Sequence, residues 1–248
     1  MEYDILLGRI IRYSMILFKS FGNEKRNNQW RVGTEMELID SGHYFREYDT
    51  EQRFLSYFHQ IDGILKLDPL KILEIGIGNS FVANYLKGEK LNIATLDIDP
   101  SLNPDVVGSV TNTPFSSDRF DVVASFECLE HIQYTDALCG FREMVRCSKK
   151  YIFISLPDAT PFISFSLDIG GGNEVSYIFS LPLTRGLLPR PKNSGDHHWE
   201  IGRGKYKLKK IISDFKTHNV KLLWTRRYFQ IPYHRFFLFE KISIPESD

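Results

Sequence analysis

The sequence is poor in cysteine and has no excess charge of either sign. Its 248 residues include three cysteines, Cys128, Cys139 and Cys147, whose spacing matches neither a CxxC metal pair nor a disulfide framework. An odd number of widely spaced thiols is typical of a reduced protein, so we expect a cytoplasmic location. Basic and acidic residues are equal at 31 each, which makes nucleic acid an unlikely main partner.

The sequence also lacks an uninterrupted apolar run long enough to span a bilayer. The N-terminal stretch MEYDILLGRIIRYSMILFKS is apolar but is broken by Glu2, Asp4, Arg9 and Arg12. We therefore expect neither a signal peptide nor an integral membrane segment. An amphipathic helix packed on the domain fits this stretch best, and contact with a membrane surface is the alternative.

What the sequence does contain is an alternation of apolar β-branched runs with helical patterns. LKILEIG, LNIATLDI, RFDVVASF and KKYIFISLP have the pattern of buried strands, and SFVANYLKG and ALCGFREMVRCS that of helices. This alternation predicts an α/β fold of the Rossmann-like, doubly wound type, with a mostly parallel seven-stranded sheet. The helical KYKLKKIISDFKTHN and two closely spaced strands after it predict an antiparallel C-terminal hairpin at the sheet edge.

We expect one domain over residues 1–248, built from four segments. These are an N-terminal helical cap (1–68), a ligand-binding core (69–157), an insertion on the substrate side (158–204) and the C-terminal helix with the edge hairpin (205–248). The insertion shows little periodicity, and so long a segment inside a compact domain is usually functional or disordered.

The stretch KILEIGIGNSFVANYL, residues 71–86, predicts a strand, a glycine turn and a helix start. Ligands of open α/β sheets bind outside the carboxyl ends of the strands, where glycines let them approach the backbone. A dinucleotide site would need glycine at position 81, where Phe81 stands, and no Gly-Lys-Ser/Thr follows. From Glu74 to Ser80 the turn instead fits the E/D-x-G-x-G-x-G pattern for S-adenosylmethionine, except at Ser80. A tight turn without a ligand is the alternative.

A carboxylate follows in the next predicted strand. Asp97 ends that strand about 20 residues beyond the turn, where a nucleoside site places the acid that accepts bonds from the ribose hydroxyls. A solvated turn aspartate before Pro100 is the alternative, and the preceding glycine turn weakens it.

Taken together, these pieces resemble the class I S-adenosylmethionine-dependent methyltransferases, specifically the methyltransferase type 11 group. The resemblance covers Lys71 to Pro157 and rests on ILEIGIGNS, ATLDIDP, GSVTNTPFSSDRFDVVASFECLEHI and KKYIFISLP, in the order and spacing of that group. It implies methyl transfer from S-adenosylmethionine to a small-molecule or lipid-like acceptor. The same fold could also serve a non-catalytic cofactor-binding protein.

The resemblance implies a set of cofactor-binding residues. Glu74 would organise the amine of the cofactor, Asp97 would hold its ribose, and Ile98 would pack on its adenine. The group often has aspartate where Ser109 stands, and its carboxylate contacts the amino group of the adenine. In this chain the Ser109 hydroxyl or the Val110 backbone would have to make that contact. The full set is Glu74, Gly76, Gly78, Ser80, Asp97, Ile98, Ser109, Val110, Phe126 and Glu127.

Candidates for proton transfer lie in two motifs. Methyl transfer chiefly needs positioning and desolvation, and a general base only when the acceptor is protonated. FECLEHI offers Glu127 and His131, and GDHHWEIG offers His197 and His198, since histidine can take a proton near neutral pH. For GDHHWEIG the alternative is ordinary loop packing around Trp199, with the histidines solvated.

FECLEHI also allows a metal site. Its spacing would place Glu127 and either Glu130 or His131 on one helical face, where they could hold a divalent cation. In these few residues it resembles the metal motif of small-RNA 2′-O-methyltransferases. Because LEHI is common in the type 11 group, where no metal is expected, our main prediction is that there is no metal.

The remaining features concern the class of substrate and the residues around the cofactor. The run KYKLKK is basic, and Arg226 and Arg227 stand among aromatic residues, which permits an RNA substrate. Basic runs of this kind are, however, usually solvated faces of helices. SFEC stands where methyltransferases of DNA base amines have Asp/Asn-Pro-Pro-Tyr, which argues against that class. We expect His234 to be structural, and GHYFREY (residues 42–48) to close over the cofactor or pack in the core. The sequence does not indicate an oligomeric state.

Overall fold

The computed structural model of the protein describes residues 50–170, 174–180 and 196–242. They lie within one compact unit, residues 38–248. The N-terminal amphipathic stretch and GHYFREY lie outside the described residues, so the cap over 1–49 and the single-domain organisation stay predictions. No helix among the described residues is long and apolar enough to cross a membrane.

Among the described residues, nine strands form two sheets. Their bounds are β1 Lys71–Ile75, β2 Asn92–Asp97, β3 Val106–Val107, β4 Phe120–Phe126, β5 Ser148–Pro157, β6 Phe162–Asp168, β7 Glu174–Ser180, β8 Val220–Tyr228 and β9 Ile231–Lys241. The main sheet has seven strands in the order β3-β2-β1-β4-β5-β9-β8. Strands β1 to β5 pair in parallel, and β9 pairs antiparallel with both β5 and β8. The predicted mostly parallel sheet with its antiparallel edge hairpin is therefore confirmed.

The last strand lies inside the sheet, and the strand before it forms the edge. Phe236, Phe237, Leu238 and Phe239 of β9 are all buried, so this strand needs cover on both faces. β8 alternates between exposed and partly buried residues, which suits an edge position.

In the described part of the chain, four α-helices flank the main sheet: α1 Glu51–Leu65, α2 Phe81–Gly88, α3 Tyr134–Cys147 and α4 Leu208–Lys216. Thr50 caps the start of α1, because its side chain accepts a 3.3 Å hydrogen bond from the backbone N–H of Arg53. Two short 3-10 helices, Pro100–Leu102 and Leu129–His131, follow β2 and β4.

The helices cover the two faces of the sheet with separate apolar clusters. Ile72 of β1 packs in the cluster that includes Ile64 of α1 and Leu86 of α2. The next residue, Leu73, packs in the cluster that contains Phe141 and Phe215, whose rings stack at 4.2 Å. Successive residues of a strand point to opposite faces, so cover on both faces explains why the parallel strands are continuous apolar runs.

The segment 158–204 contains regular structure that the sequence analysis missed. β6 and β7 pair as an antiparallel two-stranded sheet, so the expectation of little periodicity is wrong for this part. The signal was present, since Ile163, Phe165 and Leu167 alternate with Ser164 and Ser166. Residues 181–195 lie outside the described residues, and the role of the segment as a substrate-side insertion stays a prediction.

A buried carboxylate and two arginines tie this segment to the main sheet. Asp158, which is 0% exposed, accepts a 2.6 Å hydrogen bond from Nε of Arg235. Nη1 of Arg227 donates to the carbonyl of Thr160 at 3.2 Å and to the hydroxyl of Ser180 at 3.3 Å. Arg227 thereby holds both ends of the β6–β7 hairpin against β8.

Candidate functional site

The glycine turn lies between β1 and α2, at the carboxyl end of β1. Gly76, Gly78 and Ser80 all have left-handed backbone angles, with φ of 78°, 50° and 61°. Serine in this conformation costs about 1–2 kcal/mol, whereas glycine adopts it freely. The backbone at Ser80 therefore has the shape expected of the glycine that the pattern places there.

Gly76 is required by the packing of the chain itself. A Cβ atom at this position would lie 2.5 Å from Sγ of Cys128 and 2.8 Å from its Cβ. The segment that follows β4 thus packs directly on the turn, so the bare backbone at Gly76 is not by itself a sign of a ligand. The ring of Phe81 packs against α1, where it stacks on Tyr57 at 4.7 Å.

Glu74 is a buried acid at the end of β1. Its side chain is 4% exposed, and within the described part of the chain its Oε2 atom has no hydrogen-bond partner. Burial raises its pKa to about 8, and the charge of Asp97 adds to this, against the opposing charge of Lys87. A buried oxygen of this kind can accept a hydrogen bond from a donor that enters the turn.

Asp97, at the end of β2, bridges two loops. Its Oδ2 accepts a 2.8 Å hydrogen bond from the backbone N–H of Ile77, and its Oδ1 accepts one of 2.9 Å from that of Asp99. Burial raises the pKa of Asp97. Each carboxylate oxygen retains a second lone pair, so these bonds leave capacity for further donors. The next residue, Ile98, is 39% exposed and offers an apolar surface beside this carboxylate.

Three other predicted cofactor residues have more local roles. The Ser109 hydroxyl lies 2.8 Å from the Thr111 hydroxyl and accepts a 3.2 Å hydrogen bond from the Thr111 backbone N–H, which closes a local turn. Val110 is buried, and the buried ring of Phe126 contacts Phe153 edge-on at 5.2 Å. These contacts show that the side chains of Ser109 and Phe126 already have partners within the protein.

A second group of polar residues begins just after β4. Glu127 has φ of 48°, and only Leu129–His131 form a 3-10 turn, so the predicted arrangement on one helical face is wrong. The tertiary structure nevertheless brings Glu130 and His131 together with His197, with one ligand atom from each lying within 4.8 Å of the others. We call Glu127, Glu130, His131 and His197 the acid–histidine cluster.

The side chains of the two glutamates in this cluster have little exposed surface. Glu130 is 0% exposed, and within the described residues neither of its carboxylate oxygens has a hydrogen-bond partner. Burial and the charge of Glu127 raise the pKa of Glu130 well above its usual value. Burial likewise raises the pKa of Glu127 to about 7. Its Oε1 has no hydrogen-bond partner there, and its Oε2 lies 3.6 Å from Nε2 of His234.

His197 is held in one orientation by Glu200. The two side chains are joined by a 3.0 Å hydrogen bond between Nδ1 and Oε1, and Glu200 also accepts bonds from Arg203 and, at 2.8 Å, from Tyr233. Burial opposes ionisation of Glu200, but these hydrogen bonds hold its pKa below the usual value. Glu200 was not among the predicted site residues, although its place three residues after His197 was a possible signal.

The neighbouring histidines differ from His197. Burial lowers the pKa of His131 to about 4, and its ring meets that of His197 edge-on at 4.9 Å. His198 is exposed, and its Nδ1 lies 2.8 Å from Nε2 of Gln133. His234 is partly buried, with Nδ1 2.9 Å from the Ser56 hydroxyl. The structure thus separates His198 from the acid–histidine cluster.

Trp199 anchors the segment that carries these histidines. Its side chain is 3% exposed, its Nε1 donates a 3.2 Å hydrogen bond to the carbonyl of Ile132, and its ring packs edge-on against Tyr134 at 5.0 Å. These contacts support the loop-packing interpretation for Trp199. His197, two residues earlier, instead lies in the acid–histidine cluster.

The comparisons with known proteins agree with this architecture. Residues 73–153 match the family model described as a methyltransferase domain, in its type 11 group. No curated protein matches the sequence significantly.

Many solved structures share the fold. An S-adenosylmethionine-dependent methyltransferase from Aquifex aeolicus has a TM-score of 0.54 at 14% identity, over 83% of this chain and 100% of that one. The magnesium protoporphyrin IX methyltransferase of Synechocystis PCC 6803, solved with bound S-adenosylhomocysteine, has a TM-score of 0.53 at 11% identity, over 83% and 89%.

A third similar structure contains both a substrate and a cofactor product. It is the 1,6-didemethyltoxoflavin-N1-methyltransferase of Burkholderia thailandensis, with bound 1,6-didemethyltoxoflavin and S-adenosylhomocysteine, at a TM-score of 0.52 and 11% identity over 82% of this chain and 85% of that one. At 11–14% sequence identity, the similarity between these structures and this chain concerns the fold alone. The chain has the fold of the class I S-adenosylmethionine-dependent methyltransferases, and its residues 73–153 match the methyltransferase type 11 model.

Proposed function

We propose that the protein transfers a methyl group from S-adenosylmethionine to a small-molecule acceptor. The observation that carries this proposal is the unpartnered buried Oε2 of Glu74 beside a turn of three left-handed residues. A tight turn that served only to join β1 to α2 would have no need of a buried acid with an unused oxygen.

The residues at the carboxyl ends of β1 and β2 fit the parts of this cofactor. Glu74 would accept a hydrogen bond from the cofactor amine, which would compensate for the burial that raises its pKa. Asp97 has free lone pairs for the ribose hydroxyls, and the exposed side chain of Ile98 would cover one face of the adenine. The cofactor, when bound, supplies a methyl group already activated by a positively charged sulfur.

The segment after β4 is well placed to form the acceptor side. Cys128 packs on Gly76, so the segment around Cys128 borders the turn. Glu127, His131 and His197 are therefore our candidates for contact with the acceptor or its proton, and burial around them would exclude water. His198 is a weaker candidate because it is exposed and lies outside the cluster.

We infer a small acceptor from three features. The chain has no net charge that would attract a polyanion. The predicted basic run on α4 is a solvated helix face, where Lys207, Lys209 and Lys210 are exposed and Lys210 pairs with Asp214 at 2.7 Å. Two of the similar structures are named for methylation of small heterocyclic compounds, a magnesium porphyrin and a toxoflavin precursor.

The arginines of β8 give little support to an RNA substrate. Arg227 is almost fully buried, with 2% of its side chain exposed, and is committed to the β6–β7 hairpin. Arg226 lies over the ring of Trp224 at 4.1 Å. An RNA acceptor therefore remains the less favoured alternative.

Calorimetry tests the proposal directly. We expect saturable binding of S-adenosylmethionine and of S-adenosylhomocysteine to the full chain, and no binding of NAD⁺ as a matched nucleoside control. Transfer of a radiolabelled methyl group to a panel of hydroxyl, amine and carboxyl acceptors would then identify the attacking atom. Failure to bind either cofactor form would refute the proposal, whereas binding without transfer to any acceptor would favour the non-catalytic alternative.

A further inference from the structure

We propose that Glu130, His131 and His197, with Glu127 at their edge, form a binding site for a divalent transition-metal cation such as Mn²⁺ or Zn²⁺. Glu130, His131 and His197 are not among the residues that would hold S-adenosylmethionine, so a metal ion could bind to them without the cofactor.

The spacing of the side chains suits one ion. Oxygen and nitrogen ligands bind such cations at about 2.0–2.2 Å, so two ligands of one ion lie at most about 4.4 Å apart. Nε2 of His197 lies 3.9 Å from Oε1 of Glu130, and the ligand atoms of Glu130, His131 and His197 all lie within 4.8 Å of one another. Shifts of a few tenths of an ångström would bring all three onto an ion.

Unpartnered buried oxygens are the second, independent observation. Both carboxylate oxygens of Glu130 and Oε1 of Glu127 are buried without hydrogen-bond partners in the described part of the chain. A buried polar group without a hydrogen bond destabilises the fold, and two ionised carboxylates in the same buried region would also repel each other. A dication removes both penalties, because it satisfies the oxygens and neutralises their charge.

The surroundings of His197 have the arrangement that orients metal-binding histidines. Because the carboxylate of Glu200 can only accept, Nδ1 of His197 carries the proton of their 3.0 Å hydrogen bond. This leaves the lone pair of Nε2 on the side of Glu130, 3.9 Å away. Tyr233 and Arg203 hold Glu200 in place. A histidine whose second nitrogen donates to a fixed carboxylate is the usual partner of a bound metal.

The donor set indicates which cations would bind. Two imidazoles with carboxylates favour Mn²⁺, Fe²⁺, Co²⁺ or Zn²⁺ over Ca²⁺, which prefers oxygen ligands alone. His197 also lines an open cleft of about 210 Å³, together with His198, Trp199 and Glu200. One member of the proposed site therefore borders a cleft that is open to solvent.

The experiment measures metal binding without the cofactor, so its outcome is independent of methyl transfer. Full-length protein is stripped with a chelator and titrated with Mn²⁺, followed by electron paramagnetic resonance, and with Zn²⁺, followed by calorimetry. We expect saturable binding of a single ion. Co²⁺ should give a visible absorption band that shows nitrogen and oxygen ligands.

Variants separate this site from adventitious binding. His197→Gln and Glu130→Gln should weaken Mn²⁺ affinity at least about 100-fold, and Glu200→Gln, which only orients His197, by about 10- to 100-fold. His198→Gln is the matched control and should bind as the wild type does. Circular dichroism without metal checks that each variant is folded. The absence of saturable binding by the wild type, or wild-type affinity in folded His197→Gln and Glu130→Gln, would overturn the proposal.

Discussion

The carboxylate of Asp97 at the end of β2 holds the glycine turn after β1 through a 2.8 Å hydrogen bond from the backbone N–H of Ile77. The same side chain accepts a bond from Asp99, so one carboxylate fixes both loops at this edge of the sheet. A single residue can therefore shape the turn and, in the proposed function, bind the ribose.

Replacement of Asp97 by alanine should weaken S-adenosylmethionine binding by about 1–3 kcal/mol, because hydroxyl groups would be left without their acceptor. That loss corresponds to roughly a 5- to 150-fold increase in Kd, measurable by calorimetry. The variant should also be less stable, since two backbone N–H groups lose their partner.

Asp105→Ala provides the matched control for Asp97. Asp105 also accepts a backbone hydrogen bond, from Thr95 at 2.9 Å, but its other partners are the Thr95 hydroxyl and Lys87 and not residues of the glycine turn. We expect the Asp105→Ala variant to be less stable than the wild type, while its Kd for the cofactor stays within about twofold of the wild-type value. If Asp97→Ala bound as tightly as the wild type, the ribose assignment would move to Asp99 or be abandoned.

The buried acid Glu74 should make the stability of the cofactor-free protein depend on pH. Its pKa is about 8 in the folded protein and about 4.5 when exposed, so unfolding releases a proton between these values. Its contribution to stability is fully present below pH 4.5 and is lost as pH rises through 8, at up to about 1.4 kcal/mol per pH unit.

Glu74→Gln removes this titration and isolates its effect. We expect the variant to gain stability relative to the wild type as the pH is raised from 5 to 8, measured by urea unfolding at each pH. Comparison of the two proteins cancels the contributions of the other titrating groups. A difference in unfolding free energy that did not change with pH would show that Glu74 titrates normally.

Gly76→Ala should destabilise the protein by about 2–5 kcal/mol, from the left-handed backbone and the overlap with Cys128. The new Cβ would lie 2.5 Å from Sγ of that residue. Gly88→Ala is the control, because a Cβ there meets nothing within 4 Å at the end of α2. Gly88→Ala should leave the free energy of unfolding unchanged or raise it by about 0.5–1 kcal/mol. Equal melting temperatures for the two variants would contradict the packing seen at Gly76.

The elements of the main sheet were predictable because their patterns are local. Strands covered on both faces are continuous apolar runs, and β1, β2, β4 and β5 were found within a few residues of their predicted positions. The β6–β7 hairpin was missed although its residues alternate, because its apolar side is exposed. Ile163, Phe165 and Phe179 are about half exposed, so the usual link between apolar residues and the core does not hold there.

Side-chain contacts between distant segments were much less predictable. The spacing of Glu127, Glu130 and His131 predicted a shared helical face, but the left-handed backbone at Glu127 breaks any such helix. Arg227 looked like part of a basic surface, yet it is buried against Asp158 because β8 lies beside the start of the insertion. No local pattern contains this information.

By itself, the amino-acid sequence determined the order of the strands and helices of the main sheet, the glycine turn after β1 and the acid at the end of β2, since periodicity and glycine placement act over a few residues. The tertiary structure alone decided that an oxygen of Glu74 is left unpartnered and that His197 meets Glu130. Both depend on which segments the topology of the sheet brings together, because burial and charge interaction act through space and not along the chain.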